Sequence, residues 1–295
     1  MSKFKQALDS SKIKSKYIAK SELKSINVLQ KAIKESTVLV TCMGLYNHGK
    51  STLLNALIKD YEQKTFKTAD VRETAKNKKV VYGDITFVDT PGLNAKDNDN
   101  KRVMDAVKES DINLFVHNIS TGEFTKVEVE FLQNIKKHWS NPKEFIERTI
   151  FVLSRTDTAS DDDVKQTKAR MKVQIKEIFG TDSSFVGVSA KSYIKGMKEE
   201  KKLLVKKSNV DELQSLLSNL KDSYKESIIK TKKERLEKIY DRLINELSSK
   251  VQTNKLEISQ SQRELQRLED DFNDDIRNIE TTLANQYARL LLRLY

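Results

Sequence analysis

Cysteine is nearly absent from this chain, and so are long apolar runs. The single cysteine, Cys42, cannot form an internal disulfide, and its place at the end of an apolar run predicts a small buried side chain in a reducing compartment, the cytoplasm. No apolar run approaches ~18 residues, so no membrane-spanning helix is expected. The N-terminus lacks the apolar core and cleavage site of a secretory signal.

The eight glycines and two prolines are unevenly distributed over the 295 residues. Residues 36–195 hold both prolines and all but one of the glycines, while no glycine follows Gly196 and no proline follows Pro142. The C-terminal part therefore lacks the strongest helix breakers. Three regions are predicted, namely basic amphipathic helices over 1–35, an α/β domain over 36–225 and a helical extension over 226–295.

Apolar, β-branched runs alternate with helical patterns in the middle region. Gly83-Asp84 separates two runs as a tight hairpin turn would, and helical patterns separate the others, so we expect a mainly parallel sheet with helices on both faces. The predicted strands are 37–42, 78–82, 85–90, 112–118, 149–154 and 185–190.

The C-terminal region carries an apolar stripe. Residues 208–220 begin with a capping signal and are predicted to be the last helix of the α/β domain. Beyond them, apolar residues recur three and four positions apart, which keeps them on one helix face that needs a partner, either a bundle or coiled coil within the chain or a helix of another chain. The final residues, ARLLLRLY, have three interpretations: a helix end that docks on a membrane or another subunit, a helix that is cut midway, or a helix that packs in a bundle within the chain. The stripe consists of Leu265, Leu268, Phe272, Ile276, Ile279, Leu283, Tyr287, Leu290 and Leu294.

The net charge of +11 is concentrated in two places. Residues 1–35 contain nine lysines against three acidic residues, and a second basic run spans 198–207. Such an excess favours a polyanionic partner, either nucleic acid or an anionic membrane surface. A solvated helix face explains the same pattern without a partner.

The stretch LVTCMGLYNHGKSTLLNALIKD, residues 39–60, places two glycines five positions apart directly before Lys50 and Ser51. The spacing G-x-x-x-x-G-K-S between a β-branched run and a helical pattern is that of a phosphate-binding loop rather than an ordinary glycine turn. Lys50 would reach the β- and γ-phosphates, and Ser51 would ligate Mg²⁺. The other nucleotide-binding residues predicted in this loop are Gly44, Asn47, His48, Gly49 and Thr52.

Further polar motifs follow predicted strands. DTPG places Asp89 where it can hold Mg²⁺ through water and Gly92 where its N–H can meet the γ-phosphate. Upstream, one of Thr65, Thr68 and Thr74 should complete the Mg²⁺ shell. Because ligands of parallel sheets lie at the carboxyl ends of strands, these motifs should converge with the glycine loop.

Two more strand-end motifs point to the base. In SRTD, the carboxylate of Asp157 can accept hydrogen bonds from guanine N1–H and N2–H₂, which adenine cannot offer, and the Arg155 stem would cover the base. In SAK, formed by Ser189, Ala190 and Lys191, the Ala190 N–H can meet guanine O6. Taken alone, Asp157 also fits an acidic helix cap.

Together, Gly44–Ser51, Thr74, DTPG, SRTD and SAK resemble the five guanine-nucleotide motifs of the TRAFAC class of P-loop GTPases, closest to the Era-like and bacterial dynamin-like branch. The resemblance covers residues 36–225 and implies a G domain that binds GTP or GDP with Mg²⁺ and hydrolyses GTP. Two departures are evident. The base motif usually begins with Asn or Thr and then Lys, here Ser154 and Arg155, and Leu93 replaces the water-orienting Gln of Ras-like members.

The resemblance also suggests how water is activated. In cation-dependent members of the family, an Asn at the position of Asn47 helps to bind K⁺ beside the phosphates. The expected catalytic residues are therefore Lys50, Asn47 and Thr74, with hydrolysis accelerated by K⁺ and by GTP-dependent pairing of two G domains in a homodimer. The alternative is that Asn47 only hydrogen-bonds within its loop, and His48 is expected to make a loop contact without a catalytic role.

Basic helical segments on both sides of the G domain favour the dynamin-like members, whose nucleotide cycle would act on a membrane or a helical protein partner. The protein is then expected to be cytoplasmic or peripheral at an anionic membrane. An Era-like enzyme bound to RNA or the ribosome is the alternative, but its KH module needs a GXXG loop and no glycine follows Gly196. A GTP-dependent protein-binding scaffold is the third interpretation.

Overall fold

The structure is a computed structural model that describes residues 18–66, 77–93, 99–139 and 141–294. Thr68 and Thr74 lie outside these residues. Within the described part of the chain, no helix is both long and apolar enough to cross a membrane.

Six strands form one mainly parallel sheet in the order β2-β3-β1-β4-β5-β6. Among the described strands, only β2 runs antiparallel to its neighbour, through the hairpin at Gly83-Asp84. The predicted class, an α/β domain with a mainly parallel sheet and a helical extension, is confirmed. The strands are β1 (Val38–Met43), β2 (Lys78–Tyr82), β3 (Ile85–Asp89), β4 (Ile112–Asn118), β5 (Thr149–Ser154) and β6 (Ser184–Val188).

Helices connect the parallel strands, and two 3₁₀ turns at Ile119–Thr121 and Thr156–Thr158 follow β4 and β5. The helices are α1 (Lys20–Lys34), α2 (Lys50–Leu57), α3 (Asp99–Glu109), α4 (Lys126–His138), α5 (Pro142–Glu147), α6 (Asp161–Phe179), α7 (Ala190–Lys198), α8 (Lys202–Lys207) and α9 (Val210–Leu294).

The central strands β1, β4 and β5 are buried on both faces, because successive side chains point in opposite directions and helices cover each face. The terminal strand β2 is largely exposed. In β1, Val40 and Cys42 belong to a cluster with α2, α7 and the start of α9, whereas Met43 joins the opposite cluster with α3, α4 and α6. With both faces covered by helices, the loops that follow the parallel strands begin at the carboxyl ends of those strands.

Capping residues set several helix boundaries. Thr125 and Glu128 form a capping box at the start of α4, and Ser160 and Asp163 form a second one at the start of α6. Gly180 ends α6 in the left-handed conformation, with φ 70°. The acidic residue that caps α6 is therefore Asp163 rather than Asp157.

The last helix differs from the prediction. Residues 208–220 were expected to form a separate closing helix, but α9 continues without interruption to Leu294. With no glycine or proline after Gly196, nothing in the backbone chemistry ends the helix at residue 220. The apolar stripe lies on this helix, and its side chains from Leu265 to Tyr287 are largely exposed.

The chain divides into two compact units, residues 28–233 and residues 1–27 with 234–295. The first contains the sheet. In the second, Arg242 pairs with Glu22 beside a small apolar cluster. That cluster comprises Ile18, Leu23, Ile26, Leu236, Ile239, Tyr240 and Leu243.

Candidate nucleotide-binding site

The predicted phosphate-binding loop lies between β1 and α2. Its backbone has positive φ angles at Gly44 (141°), Asn47 (61°) and Gly49 (87°). A Cβ atom at Gly44 would lie 2.1 Å from the carbonyl oxygen of Val116 in β4, so only glycine fits there. The sequence thus forms the tight loop that the glycine spacing predicts.

Lys50 begins α2, and its side chain is buried under the loop. Its ammonium donates hydrogen bonds to the carbonyl oxygens of Leu45 at 2.8 Å and Gly44 at 3.2 Å. Burial lowers the pKa of Lys50, and the carboxylate of Asp89 opposes that shift. The ammonium is thus held at the point where phosphates would enter.

Asp89, at the end of β3, lies beside the loop. Its Oδ2 accepts a hydrogen bond of 2.7 Å from the Ser51 hydroxyl, and burial raises its pKa against the effects of Ser51 and Lys50. The buried Oδ1 has no hydrogen-bond partner among the described residues. A hydroxyl and a partly unsatisfied carboxylate suit Mg²⁺, which prefers oxygen ligands and retains several waters, so the residues present fit this ion.

The DTPG segment packs directly on the loop backbone. The Leu93 N–H donates to the Gly44 carbonyl at 3.1 Å, and Thr90 donates to the Cys42 carbonyl at 2.7 Å. A Cβ atom at Gly92 would lie 2.5 Å from the Cα of Tyr46. Gly92 therefore permits the close approach of the two segments, and the buried Leu93 offers no polar group to water.

Of the three threonines considered for the Mg²⁺ shell, the structure describes Thr65. Its N–H donates to Asp60 at 2.6 Å and its carbonyl accepts from Lys78. These backbone contacts tie Thr65 to the end of α2 and to β2. The assignment of Thr68 or Thr74 as a metal ligand stays a prediction.

The SRTD segment contacts the phosphate loop at two points. The Ser154 hydroxyl donates to the His48 carbonyl at 2.7 Å. The Arg155 guanidinium donates to the Asn47 carbonyl at 2.6 Å and to the Asn47 amide oxygen, Oδ1, at 3.1 Å. The side-chain oxygen predicted to bind K⁺ is therefore held by an arginine in this structure.

Asp157 faces the SAK segment at the start of α7 and does not cap α6. Its Oδ1 accepts a hydrogen bond of 2.6 Å from the Ser189 hydroxyl, and the same hydroxyl accepts from the Ser192 N–H at 3.1 Å. Ala190 and Lys191 follow at the first turn of α7. The carboxylate and the Ala190 N–H thus lie on adjacent segments after β5 and β6, as a guanine contact requires.

The sequence did not predict two sets of contacts between buried polar side chains. His48 and His117 lie against Glu128, with the Nδ1 of His117 at 2.9 Å from Oε1 of Glu128. At the opposite edge of the sheet, Lys232 pairs with Asp111 at 2.7 Å. The spacing T-x-x-E at Thr125–Glu128 was the one local signal; the other partners are far apart in sequence.

Residues 39–155 match a family model described as "50S ribosome-binding GTPase". An uncharacterized protein of Acinetobacter baylyi is 32% identical over 182 residues, which cover 60% of this chain and 41% of the relative. The match therefore spans less than half the length of that relative.

Two solved structures share the fold over most of the chain. The LeoA bacterial dynamin GTPase from ETEC has a TM-score of 0.54 and 14% identity, covering 78% of this chain and 43% of that chain. A member of an oligomerised bacterial dynamin pair has a TM-score of 0.53 and 16% identity, covering 97% of this chain and 53% of that chain. At such identities the likeness is one of fold.

Proposed function

We propose that this chain, a TRAFAC-class P-loop GTPase with the fold of the bacterial dynamin-like proteins, hydrolyses GTP to GDP and phosphate and couples that cycle to its helical extension. The observation that carries the proposal is convergence. The phosphate loop, Asp89, SRTD and SAK, which are distant in sequence, meet at the carboxyl edge of one sheet. Parallel sheets bind their ligands at this edge.

The phosphates are assigned to the loop from Gly44 to Ser51. Its backbone N–H groups and the N-terminus of α2 provide positive charge, and Lys50 would exchange its two carbonyl partners for phosphate oxygens. Ser51 and Asp89, with Thr74 or Thr68, would hold Mg²⁺. When bound, Mg²⁺ would neutralise charge on the phosphate oxygens during transfer.

Guanine is assigned to Asp157, Arg155 and Ala190. The hydrogen bond from Ser189 orients the Asp157 carboxylate, which would accept from N1–H and N2–H₂ of the base. Adenine presents an unprotonated N1 there, so it would leave a polar group unmet. Lys191, one residue further, adds positive charge beside the base.

Water activation is assigned to the phosphate loop because Leu93 cannot orient water. A K⁺ ion at Asn47 Oδ1 would place positive charge beside the bond that breaks, and electrostatic stabilisation is the main term in phosphoryl transfer. The Arg155 guanidinium must first release that oxygen, or else it supplies the charge itself. Pairing of two G domains across the nucleotide would accelerate hydrolysis further.

The coupled target is proposed to be an anionic membrane or a helical protein. Support comes from the dynamin-like fold, the basic segments and the exposed apolar stripe of α9. A ribosome or RNA target is the second candidate, favoured by the description of the matched family and by the +11 charge. Co-sedimentation with anionic liposomes and with ribosomes separates them, since ribosome binding alone would refute the first.

The test of the reaction is binding and turnover with GTP, GDP and ATP, alongside light scattering in each nucleotide state. We expect GTP and GDP binding, weak ATP binding, Mg²⁺-dependent phosphate release and a GTP-dependent increase in mass. Equal affinity for ATP and GTP would reject the guanine assignment. Absence of phosphate release at every protein concentration would reject the hydrolase.

A further inference from the structure

Three side chains from distant parts of the sequence meet in the interior beside the phosphate loop. His48 comes from the loop itself, His117 from β4 and Glu128 from the first turn of α4. Their relative exposures are 5%, 0% and 0%. The proposed reaction gives these three side chains no role, although they touch the element that would hold the triphosphate.

Both ring nitrogens of His117 face hydrogen-bond acceptors. Nε2 lies 2.8 Å from the Gly122 carbonyl and 3.0 Å from the Thr121 hydroxyl, whose own proton goes to the Asn118 carbonyl at 2.7 Å. Nε2 must therefore carry a proton. Nδ1 lies 2.9 Å from Oε1 of Glu128, so one proton lies between these two atoms, carried either by the ring or by the carboxyl group.

The other contacts of Glu128 favour the ring as the carrier of that proton. The second oxygen of Glu128 accepts from the Thr125 N–H at 2.9 Å and from the Thr125 hydroxyl at 2.8 Å. Burial acts to raise the pKa of Glu128, but the hydrogen bonds from His117 and Thr125 outweigh it and bring the pKa below its usual value. The contacts are therefore those of a buried ring N–H that donates to a carboxylate.

A metal ion bound by all three side chains is a poorer fit to the same distances. Bonds of about 2.0–2.1 Å in a tetrahedral site would place neighbouring ligand atoms about 3.3 Å apart. Here they lie 2.9 Å apart for His117 and Glu128, a hydrogen-bond distance, and 3.6 Å apart for His48 and Glu128. The Nδ1 of His48 already accepts the N–H of Asn118 at 3.2 Å.

His48 connects the pair to the phosphate loop. Its ring meets that of His117 edge to face, with centroids 5.4 Å apart and planes at 86°. Its carbonyl accepts the Ser154 hydroxyl. It stands between Asn47 and Gly49, the two loop residues at φ 61° and 87°, so the ring fixes the loop where its backbone turns.

We propose that the buried His117–Glu128 pair is a positioning element that, through the ring of His48, holds the phosphate loop in the conformation that binds the triphosphate. The inference rests on the proposed GTP binding. Since the loop would hold the phosphates in the ground state and the transition state alike, loosening it should weaken binding more than turnover at saturation.

The decisive variant is Glu128→Gln, which keeps the shape and removes the charge. We expect the dissociation constant of a non-hydrolysable GTP analogue to rise about tenfold, the effect of losing one charge-assisted hydrogen bond. Saturating turnover should stay within about twofold of native. The matched control is Asp163→Asn, the equivalent acid-to-amide change at the same position of the capping box of α6, where the described hydrogen bonds of the carboxylate are to Ser160.

Nitrogen NMR of the nucleotide-free protein supplies the second measurement. In native protein both ring nitrogens of His117 should be protonated, and Glu128→Gln should remove one proton and shift the amide signals of residues 44–50. Asp163→Asn should leave those signals unchanged. A His117 ring with one proton in native protein would overturn the proposal even if the variant did not fold.

Other outcomes are equally decisive. Unchanged analogue affinity in Glu128→Gln, or an equal loss in Asp163→Asn, would overturn the positioning role. Stoichiometric zinc retained by native protein after desalting and lost in Glu128→Gln would assign the cluster to a metal instead. If native protein bound no GTP, the proposed function would fail, while the NMR signals would still decide the state of the pair and its hold on the loop.

Discussion

The two edges of the sheet use charge in opposite ways. At the carboxyl edge, the ammonium of Lys50 rests on backbone carbonyls and one oxygen of Asp89 has no described partner. At the amino edge, Lys232 and Asp111 pair at 2.7 Å, and the same carboxylate oxygen accepts the Leu39 N–H at 2.7 Å. Charges that satisfy each other hold a structure together, whereas charges left partly unsatisfied are available to a ligand.

The amino edge is where the first part of α9 joins the sheet. Lys221 pairs with Asp84 at 2.8 Å, and Ser227 accepts a hydrogen bond of 2.7 Å from Arg148. Lys232 completes the series with Asp111 and with the carbonyl of Thr37. Mutations at this edge should change the free energy of unfolding, and mutations at the other should change nucleotide binding and turnover.

The largest expected effect lies at the carboxyl edge. Lys50→Ala removes the ammonium that would neutralise the β- and γ-phosphates, so GTP turnover should fall on the order of 10³-fold or more. The free energy of unfolding should change by only about 1 kcal/mol, because the lost bonds are to loop carbonyls. Phosphate release and urea unfolding measure the two quantities, with the exposed Lys172→Ala as control. Native turnover in Lys50→Ala would remove the loop from the mechanism.

The second effect lies at the amino edge. Lys232→Met leaves the buried carboxylate of Asp111 without its cation, which should cost about 3–5 kcal/mol of stability. Lys232→Met/Asp111→Asn should recover much of that loss. Lys221→Met is the control on the same helix; its partner Asp84 is half exposed, so the cost should stay below about 1 kcal/mol. If the free energy of GTP binding changed as much as the free energy of unfolding, the proposed division of roles between the two edges would be wrong.

The third effect concerns base selection. Asp157→Asn replaces two acceptor oxygens with one oxygen and an amide that opposes guanine N1–H, so GTP affinity should fall on the order of a hundredfold. ATP affinity should stay within a few-fold of native. Competition binding with both nucleotides measures the ratio. If the variant kept the native ratio of GTP to ATP affinity, Asp157 would not be the residue that recognises guanine.

The fourth effect is acid sensitivity. Burial lowers the pKa of His48 from 6.5 to about 4, so between these values the unfolded chain binds more protons than the folded one. Stability therefore rises with pH across this window and is lost as pH falls toward 4, by about 3 kcal/mol at most. Denaturant titrations from pH 7 to 4 should show the slope flattened in His48→Gln and retained in His138→Gln, which alters an exposed histidine. Identical slopes would reject His48 as the source.

The smallest effect sharpens the assignment of Asn47. If K⁺ and Arg155 compete for Oδ1, Arg155→Lys should lower the K⁺ concentration for half-activation about threefold, the worth of one exposed hydrogen bond. Turnover in KCl, NaCl and choline chloride at equal ionic strength, over a range of protein concentrations, measures this. Asn47→Ala should lose the response. Identical rates in all three salts, independent of concentration, would reject the K⁺ mechanism.

Local chemistry explains what the sequence could predict. The strands were placed within two residues because β-branched runs, glycines and the hairpin at Gly83 are local signals. The phosphate loop was predicted from its glycine spacing together with the flanking β-branched run and helical pattern. The predicted C-terminus of the helix at 208–220 was wrong. A capping signal identifies where a helix starts, whereas its end is identified by a helix breaker, and the sequence has none there.

Contacts between distant residues were beyond sequence reasoning. Asp111 and Lys232 are 121 positions apart, and nothing in either neighbourhood identifies the other. The Arg155 bond to Asn47 depends on the left-handed backbone of Arg155, with φ 60°, which no residue preference predicts for arginine. In the sequence, His117 is a polar residue within a mostly apolar strand. Its hydrogen bonds with Glu128 and Gly122 become visible only in the structure.

The resting place of Lys50 makes nucleotide entry an exchange reaction. An incoming phosphate has to replace two hydrogen bonds to Leu45 and Gly44 that the ammonium already makes, so the first contact brings little net gain. The gain grows when a second and third phosphate engage the same ammonium and the loop amides together. Under the proposed function, affinity should therefore rise with the number of phosphates, with GMP well below GDP and GTP, because several phosphate contacts made together are needed to replace the two carbonyl hydrogen bonds of Lys50.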